Sequence, residues 1–126
     1  MTFLPRLQNH LVMARVKVRE DRQSQWLKGV LDLAVLAALA RETSAYGYTL
    51  MASLAEFGFE GIKGGTIYPL LSRLEEDGLV KSEWVTGASG PPRKYFWLTP
   101  AGRAELSAGR DGWRLFSKTM TEALGD

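Results

Sequence analysis

At Gly78 the hydrophobic period of this chain changes from 3.6 residues to 2, and that switch narrows the folds open to it more than any other feature. Before it, in GGTIYPLLSRLEEDG (64–78), Ile67, Leu70, Leu71 and Leu74 fall at i, i+3, i+4 and i+7, one apolar stripe of a helix. After it, in LVKSEWV, Leu79, Lys81, Glu83 and Val85 alternate with Val80, Ser82 and Trp84. A second β-prone run, RKYFWL (93–98), follows the breaker-rich TGASGPP. The stretch reads as a helix followed by a β-hairpin whose loop is residues 86–92.

Two helices are predicted upstream. From Gln25, the residues Trp26, Leu27, Val30, Leu31, Ala34, Val35, Ala38 and Leu39 recur at helical spacing, in a segment apolar enough to predict the centre of the core. Its most apolar run, LAVLAALA, is far shorter than the ~20 residues a membrane span needs. Glu42, Thr43 and Ser44 form a polar break. A second helix over 48–57 then turns Leu50, Met51, Leu54 and Phe57 inward, and Gly58 ends it. The short connection GFEGIKGG leads to the third helix, where Thr66 is the expected cap and Pro69 is expected in the first turn, whose N–H groups need no helical acceptor. Thr99 as N-cap with Pro100 behind it predicts a last helix running towards Leu124.

Three helices with a tight connection between the second and third, then a two-stranded ribbon, give a mainly α chain with a small β-hairpin, in the order of a winged helix-turn-helix. The expected division is a basic N-terminal arm (1–24), a winged helix-turn-helix DNA-binding domain (25–99) and a C-terminal dimerisation helix (100–126). The length of 126 residues with 45% hydrophobic content suits one core. The absence of cysteine excludes disulfides and thiolate metal sites and suits a reducing cytoplasm. The N-terminus has no apolar run followed by a small-residue cleavage site, so no secretory signal is expected, although Met13 is a second possible start. Neither a cofactor nor a metal is expected. An enzyme would need an acid, base or nucleophile constellation, and the one histidine, His10, stands in the arm without a partner motif. GFEGIKGGT resembles a phosphate loop only superficially, since its lysine precedes the last glycines instead of following them.

The net charge is +2, but residues 1–28 hold six basic groups (Arg6, Arg15, Lys17, Arg19, Arg22, Lys28) against Glu20 and Asp21, so the arm carries +4 and the remainder −2. A solvated tail and a contact with phosphate or another anionic surface both fit such an arm.

The third helix offers a polar outer face of Thr66, Tyr68, Pro69, Ser72, Arg73 and Glu76. Its N-terminus, with the N–H groups of Gly65 and Thr66 and with Lys63 just before, suits a phosphate oxygen. Arg73 has two readings, a bidentate contact with guanine or an ion pair with Asp77. Arg93 and Lys94 follow two stiffening prolines and suit phosphate contact, a solvated strand end being the plainer reading. Tyr95, Trp97 and Trp84 read as core and cross-strand packing rather than base-stacking groups. In the last helix Leu106, Gly109, Trp113, Phe116, Met120 and Ala123 are spaced as an a/d seam that calls for a partner, the same helix or the first helix of a second copy; folding back on its own domain is the alternative. Gly109 and Gly112 are expected to leave room beside Trp113, enough for a ligand pocket.

With these residues in view, the chain over about 28–124 resembles the PadR-like transcriptional regulators of bacteria. The resemblance rests on Gly47-Tyr48 opening the second helix, GTIYPLLSRLEEDGLV (65–80), and GPPRKYFWLTPAG (90–102), in order and at the family's spacing. It implies a dimeric winged-helix repressor that binds a pseudo-palindromic operator in double-stranded DNA and is released by a small molecule or another signal. It implies that Thr66, Tyr68, Arg73, Arg93, Lys94 and Tyr95 occupy DNA-facing positions. The short tail is similar to the subgroup with a single C-terminal helix, in which a tryptophan at the place of Trp113 lines a flat pocket between subunits for planar aromatic compounds; Leu106, Phe116 and Met120 are grouped with it here. Two departures stand out: Tyr46 replaces the histidine common before the Gly-Tyr pair, and the basic arm is longer than the family usually carries. The operator, the regulated genes, the effector and the sign of regulation do not follow from the resemblance. A winged helix used for protein contacts is the competing reading, separable by the salt dependence of DNA binding.

Overall fold

The computed structural model describes the backbone of residues 5–87 and 89–125 and, within that span, the side chains from Arg22 onward. The readings placed on His10 and Met13, and on the arm's charges before Arg22, therefore lie outside the described side chains. The elements run α1 (Pro5–Glu42), α2 (Gly47–Phe57), α3 (Gly64–Glu76), β1 (Val80–Val85), β2 (Arg93–Leu98) and α4 (Pro100–Leu124). Contacts divide the chain into two compact units, Met1–Leu31 and Asp32–Asp126. Helical backbone continues through VKVREDRQSQ, where the sequence shows no apolar period. No glycine or proline interrupts residues 6–28, and Arg, Lys, Glu and Gln all have good helix propensity.

Trp26 corrects the expectation of a core beginning at Gln25. It is 62% exposed, and among the described residues of α1 the first buried hydrophobic one is Leu31. Periodicity identifies an apolar face, but not how far along the helix other elements cover it. In the second unit Val35, Ala38 and Leu39 of α1 meet the expected core, joined by Leu50 and Leu54 of α2 and by Ile67, Leu70, Leu71 and Leu74 of α3. Gly58 ends α2 at φ 111°, with its N–H on the Ala55 carbonyl and the Phe59 N–H on Leu54.

The start of α3 differs from expectation in two respects. Its N-cap is Lys63 rather than Thr66, and no side chain caps it. Thr66 is already the third helical residue, and its N–H donates to the Lys63 carbonyl at 3.0 Å. Both glycines have entered the helix, so Pro69 sits inside it instead of in its first turn. The missing N–H at Pro69 leaves the Gly65 carbonyl without its helical donor, which is tolerable because Gly65 is exposed.

The ribbon is an antiparallel pair with Val80 opposite Leu98 and Val85 opposite Arg93. The segment between α1 and α2 adds a bridge to it: Ala45 and Phe96 exchange both backbone hydrogen bonds, at 3.0 and 2.8 Å. Thr99 caps α4 as expected, its hydroxyl oxygen accepting from the Gly102 N–H while its O–H donates to the Gly78 carbonyl at 2.6 Å. This ties the start of α4 to the end of α3. No described helix is long and apolar enough to cross a membrane, and no group of described residues is arranged to hold a metal ion.

Candidate nucleic-acid interface

The four aliphatic residues of α3 are all buried, which turns Lys63, Gly65, Thr66, Tyr68, Pro69, Ser72 and Arg73 to the surface together. Of the two readings of Arg73, the ion pair with Asp77 is not formed: among the described residues Arg73 has no salt bridge. Its guanidinium is exposed and available to an external acceptor. At the helix start the Thr66 N–H is already bonded to Lys63, so the donors left for an anion there are those of Gly64 and Gly65.

Tyr68 does not simply project outward. Its ring crosses Gly64 and reaches the buried Gly47 at the start of α2, where a methyl group would overlap the Tyr68 hydroxyl and ring. The side chain stays 51% exposed. Gly47 thus makes room for a tyrosine lying between two helix N-termini, which restricts its rotamers before any ligand arrives.

The ribbon separates Arg93 and Lys94, which the sequence treats as a pair. Arg93, Tyr95 and Trp97 share one face with Val85, Glu83 and Lys81 opposite them; Lys94, Phe96 and Leu98 share the other with Trp84, Ser82 and Val80. Lys94 therefore turns towards α3, with its Nζ 3.9 Å from Glu75 and near the rings of Phe96 and Trp84. The same Glu75 accepts a 2.6 Å hydrogen bond from the Ser82 hydroxyl, so the last turn of α3 is tied to both strands. Trp84, expected to pack across the ribbon, stands opposite Lys94 and is 65% exposed.

On the other face Arg93 lies over the Tyr46 ring, its guanidinium carbon 4.6 Å from the centroid. Tyr46 also meets Tyr95 at 5.3 Å, tilted by 60°, and Tyr48 at 6.3 Å, nearly parallel. Tyr46 and Tyr48 carry no periodic signal that would mark them as site residues. Only the Ala45–Phe96 bridge, which brings the α1–α2 connection beside β2, places them with Arg93. A shallow depression on this ribbon face is lined by Ser44, Glu83, Val85, Tyr95 and Trp97.

The residues grouped on the last helix also divide. Leu106 is buried in its own domain. The space expected beside Gly109 is filled by Leu33 of α1, so closely that a methyl group on Gly109 would overlap it, whereas Gly112 faces open space. Beyond them Trp113, Phe116 and Met120 are exposed, and the rings of Trp113 and Phe116 stand 6.2 Å apart.

Comparison with known proteins adds four findings. Residues 35–108 match the Transcriptional regulator PadR-like family. A curated transcriptional regulator of Mycobacterium tuberculosis is 37% identical over 86 residues, covering 68% of this chain and 76% of that protein. Among solved structures, a PadR family transcriptional regulator from Eggerthella lenta superposes with a TM-score of 0.80 at 36% identity, covering 89% of this chain and 96% of the other. A PadR-like transcriptional regulator from Bacillus cereus does so with a TM-score of 0.71 at 34% identity, covering 81% and 98%.

Proposed function

The chain belongs to the PadR-like family of transcriptional regulators, and from that premise we propose that it is a cytoplasmic repressor that binds a pseudo-palindromic operator in double-stranded DNA as a homodimer. The observation that carries this reading is the outer face of α3. Thr66, Tyr68, Pro69, Ser72 and Arg73 are exposed on a helix whose other face is fully buried, and Arg73 has no ion pair among the described residues. A helix of this kind reads base edges in the major groove, with a guanidinium as the best guanine donor. Lys63 and the free N–H groups of the first turn take phosphate, and Arg93, Lys94 and Tyr95 bring the ribbon against the backbone.

In this reading residues 25–99 are the DNA-binding domain, 1–24 a basic N-terminal arm, and 100–126 the dimerisation helix. The exposed Trp113, Phe116 and Met120 are the surface a second copy covers. A planar aromatic effector seated beside Trp113 changes the spacing of the two reading heads and releases the operator.

Fluorescence anisotropy of the protein against its own upstream promoter DNA and a scrambled duplex, across a salt series, tests the proposal. The expected result is promoter-selective binding whose log-log salt slope is about −0.9 per neutralised phosphate. A folded protein with no selectivity at any salt would overturn DNA reading and favour a winged helix used for protein contacts.

A further inference from the structure

We propose that Tyr46 is a positioning residue that holds the Arg93 guanidinium ready for a DNA phosphate, so that the contact made by the wing is set from the start of α2. The inference rests on the DNA-binding reading above. Arg93 is exposed at the first residue of β2 and has no carboxylate partner among the described residues, so elsewhere on the surface it would sample many rotamers. Here its guanidinium lies 4.6 Å above the Tyr46 ring.

That ring is itself held on several sides. Ala45, one residue before, exchanges two hydrogen bonds with Phe96 of β2, and the Tyr46 carbonyl accepts from the Leu50 N–H of α2 at 2.9 Å. Tyr95 packs against it at a tilt and Tyr48 lies nearly parallel to it. The platform is therefore fixed to β2 through the backbone and to α2 through the first helical turn. A guanidinium held over an aromatic face is attracted through the ring's π-face, so the N–H groups turned away from the ring stay free to donate. Tyr46 thus lowers the rotamer freedom that Arg93 loses on meeting phosphate without competing for its donors. Lys94 differs: its Nζ is farther from the rings it approaches, 5.9 Å from Trp84 and 5.6 Å from Phe96, and Glu75 of α3 lies 3.9 Å away as a carboxylate partner.

The test is a double-mutant cycle read by anisotropy at several salt concentrations, together with the Arg93 Nε–H resonance of the free protein. Arg93→Ala is expected to weaken promoter and scrambled duplex alike and to make the salt slope shallower by about 0.9 per protomer. Tyr46→Leu is expected to weaken both duplexes about two- to fivefold, the size of an exposed cation–π contact, and to cause no further loss when Arg93 is already alanine. Tyr46→Phe keeps the ring and is expected to bind as the wild type. In the free protein, the Arg93 resonance is expected to be ring-shifted in the wild type and in Tyr46→Phe, and to lose that shift in Tyr46→Leu. Equal losses from Tyr46→Leu with and without Arg93 would overturn the proposal, as would loss of binding in Tyr46→Phe, which would make the hydroxyl a direct contact. An unshifted Arg93 resonance in the wild type overturns the stack itself, whatever the DNA result. A ring-shifted Arg93 in a protein that binds no DNA overturns the DNA role and with it the proposed function, leaving the stack as packing alone.

Discussion

Gly102 lies one turn into α4, where its Cα passes so close to the Leu79 backbone carbonyl that a methyl group would overlap it. Two effects oppose each other in Gly102→Ala. Helix propensity favours alanine by about 1 kcal/mol, whereas overpacking against an atom that cannot rotate away costs about 1–3 kcal/mol. Since the obstacle is backbone, the second effect wins, and thermal denaturation is expected to show a melting temperature lowered by several degrees. Gly47 differs in kind, because what a methyl group would meet there is the Tyr68 side chain. Gly47→Ala is expected to displace that ring, lowering operator affinity more than stability, and unchanged affinity would mean that the Tyr68 position is immaterial. Arg73→Ala is expected to abolish selective binding in an anisotropy titration while leaving the oligomeric mass unchanged. Wild-type operator affinity in that variant would sink the assignment of α3 as the reading helix.

At the scale of elements, polar contacts fasten the wing both to α3 and to the α1–α2 connection. Glu75 in the last turn of α3 receives Ser82 and Lys94, and the Ala45–Phe96 bridge fastens β2 to the α1–α2 connection. The ion pair is partly exposed, so its share is at most about 1 kcal/mol, and the short Ser82 hydrogen bond to a carboxylate matters more. Glu75→Ala is therefore expected to cost about 1–2 kcal/mol in urea denaturation. Thr99 joins the next pair of elements, since one hydroxyl caps α4 and bonds the Gly78 carbonyl in a buried position. Thr99→Ala is expected to lose about 1–2 kcal/mol by the same measurement. Thr99→Ser keeps both bonds and is expected to recover most of it. The cap was legible because Thr-Pro before a helical pattern is a local signature. The Gly78 carbonyl, 21 residues away in sequence, was not.

For the whole molecule, the exposed apolar residues of α4 are the feature that one copy leaves unexplained. Trp113, Phe116 and Met120, with Leu124 one turn on, form a seam of large exposed side chains beyond Gly109, where Leu33 of α1 packs. Burying such a seam against a second copy stabilises by roughly 25 cal/mol per Å² of apolar surface removed from water. Placing a charge there is correspondingly unfavourable. In the proposed dimer, Phe116→Asp is expected to halve the mass seen by light scattering and to weaken operator binding strongly, because two linked reading heads gain affinity from simultaneous engagement. A dimer unaffected by Phe116→Asp would move the interface elsewhere.

Whatever depends on near neighbours in the chain could be read before folding. The period of 3.6 along α3, its change to 2 at Gly78, the glycine that ends α2 and the Thr-Pro start of α4 all appear as expected, since each is decided within a few residues. The motifs of α3 and the wing were enough to point to the family for the same reason. The interior of the candidate site was decided only by tertiary structure. Lys63 caps α3 in place of Thr66 because both glycines join the helix, and Trp26 lies outside the core because an apolar face is buried only where another element reaches it. Arg93 and Lys94 part because adjacent strand residues face opposite ways, and which way meets α3 depends on how the ribbon packs. Tyr46 comes under Arg93 from 47 positions earlier in the chain through a backbone bridge that no local pattern encodes. Contacts of that range are set by the packing of whole elements, and packing is not a property of any short stretch of sequence.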